Sequence, residues 1–288
     1  EGSGGGIDLT GGKGMVEQQL DGIPFRLKEP FDFGFVSRWG RIFQVFDDQD
    51  SGNICFGTEQ NGERFFLKFA AAPTARYQGD PADAVERLRY AAGVYRDLKH
   101  PALIELLDTV ETEGGFLTVF RWTDGVCMGK QYPESRKQFF TLPMEKREQV
   151  FADILDFHLM AAARGYVAVD FYDGSILYDF KQQKTVLCDI DLYQKRPFVN
   201  EMGRLWGSSR FMSPEEWEKG AEIDEISNVF LMGSVAFALF GGELDHAREK
   251  WMLDDRRYEV ALRAVSPLRA QRFASLKELQ TAWREERL

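Results

Sequence analysis

The sequence predicts an α+β protein in which five antiparallel strands and one helix precede a mainly helical part. Up to Trp122, short apolar runs with period-two alternation are separated by Gly, Asn and Asp, which is typical of antiparallel strands joined by turns. Beyond Trp122 the apolar residues recur at helical spacing. With 288 residues, 44% of them hydrophobic, the chain is long enough for a substantial core.

The strand-forming half contains five such runs. They lie at residues 42–46, 54–58, 64–69, 103–107 and 116–120. A polar turn at 47–53 separates the first two runs, and Asn61-Gly62 marks a two-residue hairpin turn before the third. Asp80-Pro81 opens a helix that reaches about residue 98. Together these elements form a first lobe at about residues 24–121.

The second half, at about residues 122–288, is dominated by helices. A long amphipathic helix is predicted at 146–164, and Gly165 ends it. The apolar run at 228–239 is too short to span a bilayer and predicts a buried core helix. Further helices are predicted from Asp245 and from Leu276.

Charge and cysteine content limit the class of partner and the location. The formal net charge of −10 argues against binding to nucleic acid or to an anionic membrane. The three cysteines are odd in number, and no signal peptide or long apolar run is visible, so we expect a reducing, cytoplasmic location. The glycine-rich residues 1–14 predict an added leader before Met15, which leaves 15–288 as a single expected domain.

Two aspartates follow short apolar runs in the second half. Asp170 comes after residues 165–169, and Asp189 comes after 186–188. Carboxylates in such places suit phosphoryl transfer, in which one group orients an acceptor hydroxyl and another binds a metal ion. Either residue alone could instead cap a turn, where Asp is common.

The order of these features resembles the protein kinase-like superfamily over residues 24–288. The strand that ends in Phe-Leu-Lys68 is similar to the family's Val-Ala-Ile-Lys strand, Asp170 to its catalytic-loop Asp, and Asp189 to the Asp of its Asp-Phe-Gly motif. The segment from Gly207 to Glu215 is similar to the Gly-Thr-x-x-Tyr-Met-Ala-Pro-Glu end of an activation loop. The resemblance implies a bilobal protein kinase-like fold, closest to a divergent bacterial-type Ser/Thr kinase.

The resemblance also implies ATP as the bound nucleotide, Mg²⁺ as the metal, and an acceptor of unknown identity. Lys68 would neutralise the phosphates, Asp170 would take the acceptor proton, and Asp189 would bind Mg²⁺ with help from Asp191 or Ser175. Further nucleotide contacts would come from six residues: Gly52, Ile54, Phe66, Phe120, Trp122 and Leu177.

Two structural features follow from the same resemblance. Glu215 is expected to form a buried ion pair with Arg272, which lies in a Gln-Arg-Phe-Ala-Ser-Leu context. Asn228 replaces the Asp that usually braces the catalytic loop from the core helix.

The first lobe departs from the family pattern. The turn at 47–53 keeps only Gly52 of three expected glycines and carries three aspartates, which raise the negative potential near a phosphate. Phe66 stands where the family has a small Ala and would partly fill the adenine pocket. Family spacing places the helix glutamate that pairs with Lys68 at Ala91, and the nearest acid, Glu86, lies on another helix face.

The catalytic loop departs as well. Ala168 and Val169 replace the usual His-Arg, so a phosphorylated activation loop has no familiar anchor. Ser175 replaces the metal-binding Asn, and Asp173 could substitute for it. Asp191 is either a second metal ligand or a solvated turn residue.

Three functions remain open at this point. The first is an active ATP-dependent phosphotransferase that acts on a Ser/Thr hydroxyl of a protein. The second is a pseudokinase that acts as a binding or scaffold module, which Phe66, the acidic turn and Ser175 favour. The third is a small-molecule kinase akin to aminoglycoside phosphotransferases, which Asp191 favours and the segment from Gly207 to Glu215 disfavours.

Overall fold

A computed structural model describes residues 14–242 and 245–285, so the predicted leader lies, except for Gly14, outside the described residues. The fold is α+β with antiparallel sheets, as the sequence predicts. The chain divides into two compact units: Leu106–Trp122 belongs with the chain up to Ala92, and Gly93–Glu105 belongs with the chain from Thr123 onward.

The first unit begins with a hairpin that the sequence analysis missed, β1 (Val16–Leu20) and β2 (Ile23–Leu27), which precedes a 3-10 helix at Gly34–Trp39. Five strands then form one antiparallel sheet in the spatial order β3-β4-β5-β7-β6. They are β3 (Arg41–Phe46), β4 (Asn53–Gln60), β5 (Glu63–Ala70), β6 (Leu106–Thr112) and β7 (Gly115–Arg121).

One predicted strand is misplaced. The run at 103–107 was expected to pair within this sheet, but β6 begins only at Leu106. Leu103 instead forms a parallel bridge with Leu187, and the Ile104 N–H donates to the Leu187 carbonyl. An apolar run predicts burial but not the strand it will pair with, which explains the error.

The Asn61-Gly62 turn fixes the register of the sheet. Both residues have positive φ, 54° and 78°, as a tight hairpin turn requires. The resulting pairs include Cys55 with Lys68 and Gly57 with Phe66, so these four side-chain positions share one face. The opposite face belongs to the main core of this unit, which includes Ile54, Phe56, Leu67, Phe69, Leu117 and Val119.

The predicted helix at 80–98 is present as α1 (Pro81–Asp97). Its first part buries Ala84, Leu88 and Ala92 against Ala70 of β5 and Phe116 of β7. Small residues on this face let the helix lie close to the sheet.

The second unit is mainly helical. Its helices are α2 (Pro133–Phe139), α3 (Met144–Ala163), α4 (Glu225–Phe240), α5 (Asp255–Ala264) and α6 (Leu276–Arg284). Its short strands are β8 (Val126–Cys127), β9 (Tyr166–Val167), β10 (Ile176–Asp179), β11 (Lys184–Leu187), β12 (Gln194–Lys195), β13 (Phe198–Val199) and β14 (Glu222–Ile223).

Most helix predictions for this unit are confirmed. α3, α4 and α6 match the predicted helices, and Gly165, with φ of 80°, ends α3. The helix predicted from Asp245 is wrong, because α5 begins at Asp255. Trp251 intervenes and buries its ring against Phe240. None of the described helices is long and apolar enough to cross a membrane.

A buried ion pair at Glu215 fixes the last residue of the segment from Gly207 to Glu215. Arg272 is fully buried and binds both carboxylate oxygens of Glu215, at 2.7 and 3.0 Å. Arg269 binds the same carboxylate and also Asp224, the residue that caps α4. Burial alone would raise the pKa of Glu215, but hydrogen bonds from the two arginines lower that pKa to about 2. The ion pair expected between Glu215 and Arg272 is confirmed.

Glu216 behaves in the opposite way. Its Oε2 accepts hydrogen bonds from the Ser213 N–H at 2.6 Å and the Ser213 hydroxyl at 2.7 Å. Burial raises the pKa of Glu216 to about 7, and the charge of Glu215 adds to the effect. Between about pH 4.5 and 7, the Glu216 carboxyl is therefore protonated in the folded chain and ionised in the unfolded chain.

Arg272→Met is expected to lower the free energy of unfolding by about 3 kcal/mol or more, because it leaves the buried Glu215 carboxylate with only one guanidinium. Arg269→Met should cost less, because the Arg269 side chain is 37% exposed. Urea denaturation at pH 7 measures both losses. A loss for Arg272→Met no larger than that for Arg269→Met would contradict the buried pair.

Glu216 predicts a pH dependence of stability. Because its folded pKa lies above the usual value of 4.5, its contribution to stability falls as pH rises from about 4.5 to 7. The total change is up to about 3 kcal/mol. Glu216→Gln keeps the acceptor for Ser213 and should remove this part of the pH profile, measured by urea denaturation between pH 5 and 7.5. The matched control is Glu218→Gln at an exposed position, which should leave the profile unchanged.

Candidate functional site

Asp170 and Asp189, the two aspartates singled out from the sequence, share an uncommon backbone conformation. Asp170 follows β9 with φ of 62°, and Asp189 follows β11 with φ of 57°. Few residues other than glycine adopt this left-handed conformation, although Asp does so more often than most, and neighbouring contacts help to hold it. Such strained positions concentrate at functional sites.

A side chain from α4 imposes the conformation of the chain before Asp170. Asn228 accepts a hydrogen bond from the Ala168 N–H at 2.8 Å and donates one to the Ala168 carbonyl at 3.1 Å. The amide thus satisfies both backbone groups of one residue, which a carboxylate could not do. Asn228, which replaces the family's bracing Asp, therefore still braces the chain before Asp170.

The charge of Asp189 acts on the carboxylate of Asp170. Burial raises the pKa of Asp170 to about 6, the negative charges of Asp189 and Asp191 add to this, and Arg204 opposes it. Asp189 itself is exposed, so a cation from solvent can reach it. A bound cation would offset the repulsion between the carboxylates.

The donor set fits Mg²⁺ better than a metal that needs many protein ligands. Among residues 14–242 and 245–285, no group of three or more His, Cys, Asp or Glu side chains could hold a metal ion. Mg²⁺ in phosphotransferase sites usually takes only one or two carboxylates and completes its shell with water and phosphate oxygens. Asp189, which is exposed, can supply one such carboxylate.

Ser175 and Asp191 are less suited to metal binding than expected. The Ser175 side chain is fully buried, its hydroxyl accepts from the Tyr172 N–H at 3.4 Å, and its carbonyl accepts from the Cys188 N–H at 3.0 Å. Asp191 is half-buried in a turn, and one of its carboxylate oxygens, Oδ1, accepts a hydrogen bond from the Tyr95 hydroxyl at 2.9 Å.

Asp173 cannot substitute as a metal ligand, contrary to expectation. Its side chain has no exposed surface, and Arg210 binds both carboxylate oxygens, at 2.7 and 2.9 Å. Arg136 of α2 adds a third contact at 3.1 Å. Because Arg210 lies in the segment from Gly207 to Glu215, this ion pair ties that segment to the turn that follows Asp170. The sequence offered no local signal for it, since 37 residues separate each arginine from Asp173.

Leu177 lies in the same unit, at the centre of a three-stranded sheet. It pairs with Cys127 of β8 on one side and Val186 of β11 on the other. A Cβ on Gly125 would come within 2.9 Å of the Leu177 side chain, so the chain before β8 packs closely on it.

In the first unit, Lys68 shares its sheet face with an aromatic cluster formed by Phe43, Phe46, Phe66 and Trp122. The Phe66 ring lies 5.6 Å from Phe46 and 6.1 Å from Trp122, and Phe43 lies 4.9 Å from Trp122. Gly57 makes room for the cluster, because a Cβ there would lie 2.7 Å from Phe43 and 3.0 Å from Trp122. Phe66 is thus packed among rings rather than projecting alone.

Ile54, predicted to contact the nucleotide, lies elsewhere. It is fully buried in the main core on the opposite face from Lys68, so that prediction is corrected. Cys55 occupies the position beside Lys68 instead. The hairpin register set by Asn61-Gly62 was a sufficient signal, because counting back from that turn pairs residue 55 with 68. Phe120 is buried and pairs with Phe66 across the strands.

The acidic turn at 47–53 is held by contacts within the first unit. Gly52 has φ of 85°, and a Cβ there would lie 2.7 Å from Ala84 of α1 and 3.1 Å from the Tyr77 ring. The Asp47 carboxylate accepts from the Arg26 N–H at 2.8 Å, and Asp48 pairs with Arg76 at 3.1 Å. Gly52 therefore serves the packing of the turn against α1, and two of the three aspartates have partners.

Comparison with known proteins does not show a family for this chain. No protein-family model matches the chain, and no curated protein matches it. Functional inference therefore depends on the residues and geometry described above.

Asp173→Asn should lower the free energy of unfolding by about 3 to 5 kcal/mol, because it removes the buried counter-charge that two poorly exposed arginines share. The bond from Arg210 should weaken as well, so limited proteolysis should cut the segment from Gly207 to Glu215 faster. The control Asp108→Asn breaks an exposed pair with Arg38 and should cost less than about 1 kcal/mol. Equal losses in the two variants would contradict a structural role for the buried ion pairs.

Proposed function

We propose that the chain is an ATP-dependent phosphotransferase of protein kinase-like fold whose acceptor is a Ser/Thr hydroxyl of a protein. In this proposal the two compact units are the N- and C-terminal lobes of that fold. The observation that carries the proposal is the pair of strained, mutually repelling carboxylates, Asp170 and Asp189.

The pair is costly for a purely structural protein. Glycine or asparagine would adopt the same left-handed backbone more readily, and either would remove the repulsion between two carboxylates. A strongly perturbed carboxylate beside a second one indicates acid–base or metal chemistry more than stability.

The residues receive the following roles. Asp170 would orient the acceptor hydroxyl and take its proton, and a pKa of about 6 leaves it largely ionised at neutral pH, as a general base requires. Asp189 would hold Mg²⁺, which, when bound, would neutralise charge on the phosphate oxygens. Lys68 would supply positive charge to the phosphates.

The acceptor class follows from the segment between Gly207 and Glu215. Small-molecule kinases of the superfamily usually lack such a segment. Here two buried ion pairs, Asp173 with Arg210 and Glu215 with Arg272, fix both ends of it. A segment held by two such ion pairs supports a protein acceptor over a small hydroxylated molecule.

A second candidate function is that of a pseudokinase, a binding or scaffold module. The aromatic cluster favours it, because Phe66 stands where the family's Ala leaves space for adenine and its ring is packed against Phe46 and Trp122. The buried Ser175 hydroxyl favours it too, because it already serves the turn.

Thermal unfolding of the purified protein with ATP and Mg²⁺ is the test. The proposal predicts a Mg²⁺-dependent rise in Tm, because a ligand at a hundred times its Kd adds about 2.7 kcal/mol. Asp189→Ala should abolish the Mg²⁺ dependence. Asp170→Ala should keep the Tm rise but lower phosphate transfer from labelled ATP to a protein acceptor at least a hundredfold. Asp179→Ala, at a turn outside the proposed site, is the control.

The outcomes separate the candidates. A protein that shows no Tm rise with any nucleotide, with or without Mg²⁺, is not a phosphotransferase. A rise without transfer to protein or small-molecule acceptors favours the binding module. If the aromatic cluster blocks the nucleobase, Phe66→Ala should gain ATP binding that the unaltered chain lacks. Transfer to small hydroxylated molecules alone would favour the small-molecule kinase.

A further inference from the structure

Tyr95 makes an unassigned contact with the residues that follow Asp189. It lies near the end of α1, is 5% exposed, and belongs to the same compact unit as Asp189. Its hydroxyl donates to Asp191 Oδ1 at 2.9 Å and accepts from the Ile190 N–H at 3.4 Å. One hydroxyl therefore contacts the two residues immediately after Asp189.

The hydroxyl is present for these bonds rather than for packing. A phenylalanine would fill the same space, and a buried tyrosine hydroxyl is tolerated only when it is hydrogen-bonded. Burial, together with the charges of Asp191 and Asp189, raises the pKa of Tyr95 well above its usual value. The hydroxyl thus stays protonated and remains a donor to Asp191.

The end of α1 is a rigid base for this contact. The Tyr166 hydroxyl donates to Asp97 Oδ2 at 2.6 Å, which connects the last residue of α1 to β9, just before Asp170. The Leu187 N–H donates to the Ala102 carbonyl at 2.7 Å, which connects the following chain to β11, just before Asp189. Both aspartates therefore follow strands that are bonded to α1 or its continuation.

We propose that Tyr95 is a positioning residue for Asp189: its hydroxyl, through Ile190 and Asp191, holds the left-handed turn that presents the Asp189 carboxylate. Asp191 is then the acceptor that completes this contact, and it is not a metal ligand. The inference rests on the proposed function, which gives Asp189 its task of holding Mg²⁺.

Hydrogen–deuterium exchange of the ligand-free protein tests the positioning role without any assumption about catalysis. Tyr95→Phe keeps the ring and should speed exchange at least tenfold in a peptide covering residues 188–193, because the Ile190 amide loses its acceptor. The control Tyr258→Phe loses a hydroxyl bonded to the His246 carbonyl at 2.7 Å and should leave that peptide unchanged. Unchanged exchange in Tyr95→Phe would overturn the proposal.

Two substitutions of Asp191 separate positioning from metal binding. Asp191→Asn keeps an oxygen acceptor for Tyr95, so exchange and the Mg²⁺-dependent Tm rise with ATP should stay within twofold of the unaltered chain. Asp191→Ala should speed exchange as much as Tyr95→Phe does, and the double variant should be no worse than either single one. Loss of the Mg²⁺ effect in Asp191→Asn, with exchange unchanged, would make Asp191 a metal ligand and overturn the assignment.

The two levels of inference fail in different ways. If the unaltered chain shows no Tm rise with ATP and Mg²⁺, the proposed function fails. The exchange results would still decide whether Tyr95 holds the turn.

Discussion

The left-handed backbone at Asp170 and Asp189 is the constraint on which the candidate site in the second unit depends. Each position adopts a backbone region that few residues other than glycine occupy, and neighbouring bonds help to hold it. Asn228 clamps Ala168 before the first aspartate, and Tyr95 holds the residues after the second. The partners come from α4 and α1, so helices that contribute no catalytic group determine where the carboxylates lie.

Two ion pairs with buried carboxylates, Asp173 with Arg210 and Glu215 with Arg272, hold the segment from Gly207 to Glu215. In kinases switched by phosphorylation, an arginine beside the catalytic Asp binds a phosphate on the activation loop. If the chain is a kinase, Val169 stands in place of that arginine, and it is buried in one cluster with Leu205 and with Met212 of the segment. The charges are reversed: the acid, Asp173, lies on the turn after Asp170, and its arginine, Arg210, lies on the segment. If the chain is a kinase, a segment held in this way has no need of phosphorylation to become ordered.

Local signals in the sequence predicted most elements, and non-local contacts account for the errors. Alternation and the Asn61-Gly62 turn located β3, β4, β5 and β7, and helical spacing located α1, α3, α4 and α6. Two contacts join chain segments that are distant in sequence: the bridge between Leu103 and Leu187 and the ion pair between Asp173 and Arg210. The local sequence around these residues does not identify the partner. The error at Ile54 was avoidable, because the hairpin register pairs Cys55, and not Ile54, with Lys68.

The aromatic cluster of the first unit must be reconciled with ATP binding if the proposed function holds. Gly57 lacks a side chain where one would strike Phe43 and Trp122, so the cluster is a packed feature of the sheet and not an isolated substitution. Its rings are only partly buried, and a partly exposed ring can stack on a nucleobase. A stacked base needs no small residue at position 66, whereas a base inserted against the strand does. The departure at Phe66 therefore argues against the family's mode of adenine binding more strongly than it argues against nucleotide binding itself.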